Sequence, residues 1–429
     1  MSNAINPTKS SFTVILDNLR AFIFSLILFG YGVISFLVTD ASVSRMITVP
    51  YRGIILGVSS FLLAATFVIN ILKKKKIFPS KITLLLTVFI LIYSIRLLYE
   101  VGFHSDMLVR DSSEYLLYWF SICLIPGLTF LDLNKDQSDN YRLFSWLFLC
   151  AISLLSLTLD SQSSGSFGEA GRLAGQALNP ISVGHYATSL VLVSLNMFFT
   201  RKKAKSKNLK LIGRLSLFPA FLGTYIVFLS SSRGPLIALI LCCTILFLSL
   251  KSKDTNIIDV LKTIATLAVI YLAINFIFTL ALQSDSSFVD RMIGLFKGDD
   301  FDDTRFIQRP ELIRLATQQI IANLEGLVFG SGIEVLGVGY PHNLLVDAFL
   351  STGIIGGLIF TFVYIDIVIK AIHIATSSSN SWNWLGILCI QQSISVMFSG
   401  ALYASNSFWY TFFAIAGMSA TGWRKKVVE

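Results

Sequence analysis

The chain has 429 residues, 54% hydrophobic and only 14% charged, with a mean hydropathy of +0.72. Soluble domains carry about 25% charged residues and much less apolar content, which excludes an ordinary soluble enzyme. The net charge of +9 does not point to nucleic acid either, because most lysines and arginines sit in short connections between apolar runs.

Those runs are of membrane-crossing length, and they do not alternate in the roughly ten-residue segments of a β-barrel. The expected fold is an all-α polytopic membrane protein with one membrane domain, residues 1–429. A polar tail to about Thr13 precedes twelve predicted spans. The first six are Leu19–Val38, Tyr51–Leu72, Ile82–Leu98, Tyr115–Leu133, Leu143–Leu159 and Ile181–Thr200. The second six are Leu211–Ser230, Pro235–Leu250, Ile257–Leu282, Leu344–Ile369, Trp384–Tyr403 and Phe408–Trp423. The first run is too long for a cleaved signal peptide and lacks a small-residue cleavage site, so it is expected to remain as a span. Cys123, Cys150, Cys242, Cys243 and Cys389 all fall inside apolar runs, and their odd number argues for packing residues rather than disulfides or a metal site.

An even number of spans places both termini on one side. The connections on that side hold 23 of the 34 basic residues, so both termini are expected in the cytoplasm. The opposite side then carries the informative loops. Residues 160–180 form a smaller loop containing Gly171-Arg172-Leu173-Ala174-Gly175. Ser230-Ser231-Ser232-Arg233-Gly234-Pro235 is a tight turn. Residues 283–341 form the large loop, with an acidic cluster and then an amphipathic helix over Pro310–Glu325. In that helix Pro310 suits the first turn, and Ile313, Ile320 and Leu324 share a face.

Arginine is depleted on the outer side of membrane proteins, so Arg172, Arg233, Arg305 and Arg309 stand out there. A guanidinium binds phosphate or carboxylate with a two-pronged contact, and several converging would suit a lipid diphosphate. The alternative is that each touches lipid head groups or pairs with a nearby acid. His342 lies at a helix mouth, where unpaired N–H groups favour an anion and a neutral imidazole can accept a proton from a hydroxyl. Alternatively it only ends the loop while Asn343 caps the helix. For His104, His185 and His373 a structural role is favoured. Gly353 and Gly357 form a small-xxx-small pair suited to helix packing. Asp299, Asp300, Asp302 and Asp303 read better as a solvated acidic face than as a metal site.

His342-Asn343, nine residues, then Gly353-Ile354-Ile355-Gly356 resembles the HN-x9-GxxG pattern of the O-antigen ligase and O-antigen polymerase superfamily. Ser232-Arg233-Gly234 before an apolar span is similar to its second marker, with Ile237 where the ligases usually have leucine. Arg172 with Asn179-Pro180, and Arg309 or Arg305 ahead of Gly330-Ser331-Gly332, resemble further elements. Ser351-Thr352 departs from the pattern, where an acidic residue often precedes the first glycine.

The resemblance implies a C-type, inverting, metal-independent glycosyltransferase without a cofactor, in the bacterial inner membrane and with its site facing the periplasm. The donor would be a glycan on undecaprenyl diphosphate. A polymerase would join one lipid-linked repeat unit to another in surface-polysaccharide synthesis, with a chain-length regulator as partner. A ligase would instead transfer the glycan to lipid A-core, completing lipopolysaccharide. His342 would be the base, and Arg233 with Arg309 or Arg305 the diphosphate binders. Arg172 and Asn343 would assist, and Gly353, Gly356 and Gly357 would shape the helix. A flippase of lipid-linked oligosaccharides is the alternative from another class, and it would need ionisable residues lining a path deep in the spans.

Overall fold

The computed structural model describes residues 11–37, 44–72, 80–133, 137–158, 173, 178–203, 207–230, 232–250, 304–335, 339–377 and 380–420. Among them the architecture is all-α without a strand, and eight helices are long and apolar enough to cross a membrane. The helices are α1 (Ser11–Phe36), α2 (Ser44–Leu72), α3 (Lys81–Phe103), α4 (Ser112–Asp132), α5 (Ser138–Thr158), α6 (Pro180–Thr200) and α7 (Lys207–Leu229). They continue with α8 (Arg233–Leu250), α9 (Thr304–Ile321), α10 (Leu324–Phe329), α11 (Leu344–Thr376), α12 (Asn383–Ser399) and α13 (Asn406–Ala420). Helices α8, α12 and α13 overlap the predicted spans Pro235–Leu250, Trp384–Tyr403 and Phe408–Trp423 but are not among the eight. The predicted span Ile257–Leu282 lies outside the described residues, as do Asp299, Asp300, Asp302 and Asp303.

Local chemistry sets the helix starts. Ser80 and Thr83 form a reciprocal capping box ahead of α3, each side chain accepting from the other's backbone N–H at 3.1 Å. Asn179 caps α6 by accepting from the Ser182 N–H at 2.8 Å, and Pro180 occupies the first helical position, where a missing N–H costs nothing. In α4 the middle, Leu117–Leu124, is π-helical. Pro126 lacks the N–H that would bond the Ile122 carbonyl in an α-helix, and the Tyr410 hydroxyl donates to that carbonyl instead.

Packing between apolar helices in lipid relies on close approach and on polar contacts rather than on expulsion of water. Gly386 of α12 lies against the Ala371 carbonyl of α11, and Gly223 of α7 against the Ala187 carbonyl of α6. Asn196 joins α6 to α12 through Asn383 at 2.9 Å and receives the Arg142 guanidinium of α5 at 3.0 Å. Such bonds contribute about 0.6 kcal/mol each. An aromatic wall built on Trp409 of α13, with Trp119, Phe89, Phe360 and Phe413, fills the middle of the bundle. Cys123, Cys242 and Cys389 are buried free thiols.

Three details of the sequence reading change. The loop helix is α9, Thr304–Ile321, with Pro310 inside it rather than in its first turn. Its buried stripe is Leu312, Ala316 and Ile320, while Leu324 belongs to the separate helix α10 and is 76% exposed. Asn323 breaks the two apart, because its side chain accepts the Gly326 N–H at 2.6 Å and starts a new helix. Second, α11 continues past Ile369 to Thr376 and so includes His373. Third, Gly353 lies against the Val328 carbonyl of α10 and also interrupts α11, with φ +64° and ψ −164°.

Candidate functional site

The interruption at Gly353 leaves the Leu350 carbonyl without its helical donor. The Ser331 and Gly332 N–H groups take over, at 2.7 and 3.3 Å. The fit demands glycine on both sides. A Cβ on Gly330 (φ +96°) would run into the Ser351 carbonyl group, and one on Gly353 into the Val328 carbonyl. Gln319 of α9 holds the same turn, donating from Nε2 to the Ser331 carbonyl at 3.1 Å. Residues 344–352 are thereby a short rigid helix whose lower end is clamped by the loop preceding it.

The upper end of that short helix carries His342 and Asn343. Asn343 is its cap: the side-chain oxygen accepts from the Leu345 and Val346 N–H groups, both at 3.1 Å. Its amide nitrogen donates to the Met397 carbonyl at the end of α12, at 3.2 Å. His342, just before the cap, has φ +56° and is the one described non-glycine residue in the left-handed region. Holding it there costs on the order of 1 kcal/mol, and such strain concentrates at working sites. Its ring is half-buried and lies 4.3 Å from that of Tyr340.

One turn on, Asp347 is fully buried and binds a third segment. One carboxylate oxygen accepts the Leu402 N–H at 2.6 Å, and the other accepts from the Ser351 hydroxyl at 3.4 Å. This fixes the connection 400–405 between α12 and α13 and places Tyr403 next to Tyr115 (4.9 Å) and Tyr340 (6.4 Å). Burial, with Glu334 nearby, raises the pKa of the Tyr403 phenol, so it stays a neutral hydroxyl. Glu334 is itself buried and accepts the Val109 N–H at 3.1 Å, which draws the α3–α4 connection to the same place.

Arg233 begins α8, immediately after the buried Ser232. A methyl group on Gly234 would lie 3.8 Å from His185 Nε2 and 3.9 Å from Phe398 Cβ. Phe398 follows Met397, so the Arg233 turn and the Asn343 cap meet across the end of α12. Pro235 packs on Gly184 of α6, and Thr188 donates to the Pro235 carbonyl at 3.2 Å. The Leu173 N–H donates to the Leu229 carbonyl at 3.0 Å, which sets Leu173 beside the end of α7.

His342, Asn343 and Arg233 therefore gather at one end of the bundle. Arg305 and Arg309 lie in α9, on its backbone rather than ahead of it, and Arg172 is outside the described residues. Gly356 and Gly357 are buried in the second part of α11. His185, for which the sequence favours a structural role, has both ring nitrogens buried with no hydrogen-bond partner among the described residues, facing the Gly234 turn. The sequence reading does not single out Asp347 or Glu334. A carboxylate four residues into an apolar run, as at Asp347, was the available signal. Comparison with protein-family models, with curated proteins and with solved structures finds no match.

Proposed function

We propose that the chain is a membrane-embedded glycosyltransferase that moves a glycan from undecaprenyl diphosphate to an acceptor hydroxyl, most readily as a polymerase of lipid-linked repeat units. The observation that carries this reading is the meeting of the Arg233 turn and the His342-Asn343 cap across the end of α12. A phosphate leaving group needs its charge stabilised, and a guanidinium beside a helix N-terminus supplies that. The attacking hydroxyl needs a base, and His342 offers an imidazole held at the mouth of the short helix by its own backbone geometry. Inversion follows from a single displacement: the acceptor oxygen bonds to the anomeric carbon, the bond to phosphate breaks, and the proton goes to His342. In this reading the shared end of the bundle faces the periplasm and both termini face the cytoplasm.

Reconstitution with a defined undecaprenyl diphosphate repeat, with and without lipid A-core, tests the proposal. Ladder growth without the core supports a polymerase, and a single transfer that requires the core supports a ligase. Translocation of the lipid-linked glycan with no new glycosidic bond would overturn both in favour of a flippase.

A further inference from the structure

The exposed apolar stripe of α11 does not end where the helix breaks. Ile354, Leu358, Phe362, Ile365 and Ile369 recur at helical spacing, and all are exposed. A stripe of this kind on a membrane-length helix faces acyl chains. On the other side of Gly353 it has no continuation on α11 itself, where Leu350, Ser351 and Thr352 are buried and α9 packs on the short helix through Ala316 and Ile320. The stripe passes instead to the corner between α9 and α10. A Cβ on Gly353 would lie 2.6 Å from the Phe329 nitrogen, which brings Phe329 beside the start of the stripe. Phe329 and Ile321 are each 63% exposed, and Leu324, between them in the chain, is equally open.

The depth of this corner follows from α11. Asp366 and Lys370 form an ion pair one turn apart near the far end of the stripe, and charges on a span sit where it leaves the acyl layer. From Lys370 back to Gly353 the helix rises about 26 Å at 1.5 Å per residue, against an acyl layer about 30 Å thick. Tilt shortens that rise further. Gly353 and the α10 turn packed on it therefore lie at the opposite edge of the layer.

A connecting segment enters lipid only with its backbone groups paired inside the protein. The corner's bonds are of that kind. Asn323 accepts the Gly326 N–H on its side chain and the Leu327 N–H on its carbonyl, at 2.6 and 3.0 Å. The Gly330 N–H donates to the Gly326 carbonyl at 2.9 Å, and the Ser331 hydroxyl to the Gln319 carbonyl at 2.9 Å. Glu325 is exposed on the same turn, and its side chain is long enough to reach the head groups. That charge sets the corner at the edge of the layer rather than deeper.

We infer that the α9–α10 corner is an interfacial wedge, with Ile321, Leu324 and Phe329 seated among phospholipid acyl chains as the continuation of the α11 stripe past Gly353. The large loop is thereby tied to the bilayer at the same turn that clamps the short helix 344–352. This seat is independent of whether the chain transfers a glycan.

The test uses the full chain in phosphatidylcholine nanodiscs. Leu324→Cys and Phe329→Cys are each labelled with a nitroxide, and the signal of identically treated wild type is subtracted for the native thiols. Phe362→Cys on the α11 stripe gives the lipid reference, and Asp106→Cys in the exposed α3–α4 connection gives the water reference. Power saturation reads collisions with molecular oxygen and with a soluble nickel chelate. The oxygen-to-nickel ratio in Leu324→Cys and Phe329→Cys should exceed that in Asp106→Cys about threefold or more, and lie below that in Phe362→Cys. A ratio equal to that in Asp106→Cys overturns the inference, because the corner is then in water. Low collision with both reagents also overturns it, because protein then covers the corner. So does dipolar broadening that disappears on dilution with unlabelled chain, which assigns the face to a second copy.

Discussion

Gly353→Ala puts a methyl group where α11 breaks and where the turn after α10 is clamped. Two penalties can be worked from the geometry. The backbone at φ +64° and ψ −164° is nearly glycine-only, which costs alanine about 1–3 kcal/mol. The methyl also meets the Val328 carbonyl, a backbone group that cannot rotate aside, for a further ~1–3 kcal/mol. Gly57→Ala in α2 is the control: the space around Gly57 is open, so alanine there should gain about 0.5–1 kcal/mol from helix propensity. Thermal unfolding in detergent can be followed by a maleimide dye that reports exposure of the buried thiols Cys123, Cys242 and Cys389. Gly353→Ala should lower the midpoint by about 5 °C or more. Gly330→Ala should do likewise, and the double variant should fall short of the sum, because either methyl already opens the same dock. Equal midpoints for Gly353→Ala and Gly57→Ala would refute the clamp.

His342→Gly removes the proposed base and relieves the left-handed strain, so transfer should vanish while the unfolding midpoint holds or rises. Retained turnover would exclude His342 as base. Arg233→Lys keeps the charge but loses the planar fork, and kcat/KM for the lipid-linked donor should fall at least tenfold. Asn343→Ala loses the cap and the Met397 bond, costing about 1–2 kcal/mol in the same thiol assay. Asn343→Asp keeps the cap but not the donor, and should lie between it and the wild type. Transfer should persist in excess chelator, and loss restored by magnesium would return the Asp299–Asp303 cluster to the mechanism.

The helices were legible because membrane-length apolar runs leave few alternatives to a span, and the start at Asn343 was legible from its capping chemistry. The break at Gly353 was not. Within an apolar run a glycine that packs and a glycine that interrupts look alike, and only the fit against Gly330 distinguishes them. Tyr403 was assigned to a span because it ends an apolar run; the structure puts it in a connection that Asp347 holds down. His185 reads as structural in the sequence because the Gly234 turn that it faces is far away in the chain, and no local pattern encodes that meeting.

The clamp at Gly353 also has a mechanical meaning. Bilayers differ in thickness, and a span adjusts by tilting or bending. The part of α11 beyond Gly353 runs to Thr376 and, at 1.5 Å per residue, is roughly 34 Å long, enough to cross the hydrocarbon layer unaided. The nine-residue piece bearing Asn343 is attached to it through a joint and held from the side by the Gly330 turn. The joint at Gly353 thus separates the membrane-length part of α11 from the short piece that carries the Asn343 cap, and the α10 turn holds the two at a fixed angle.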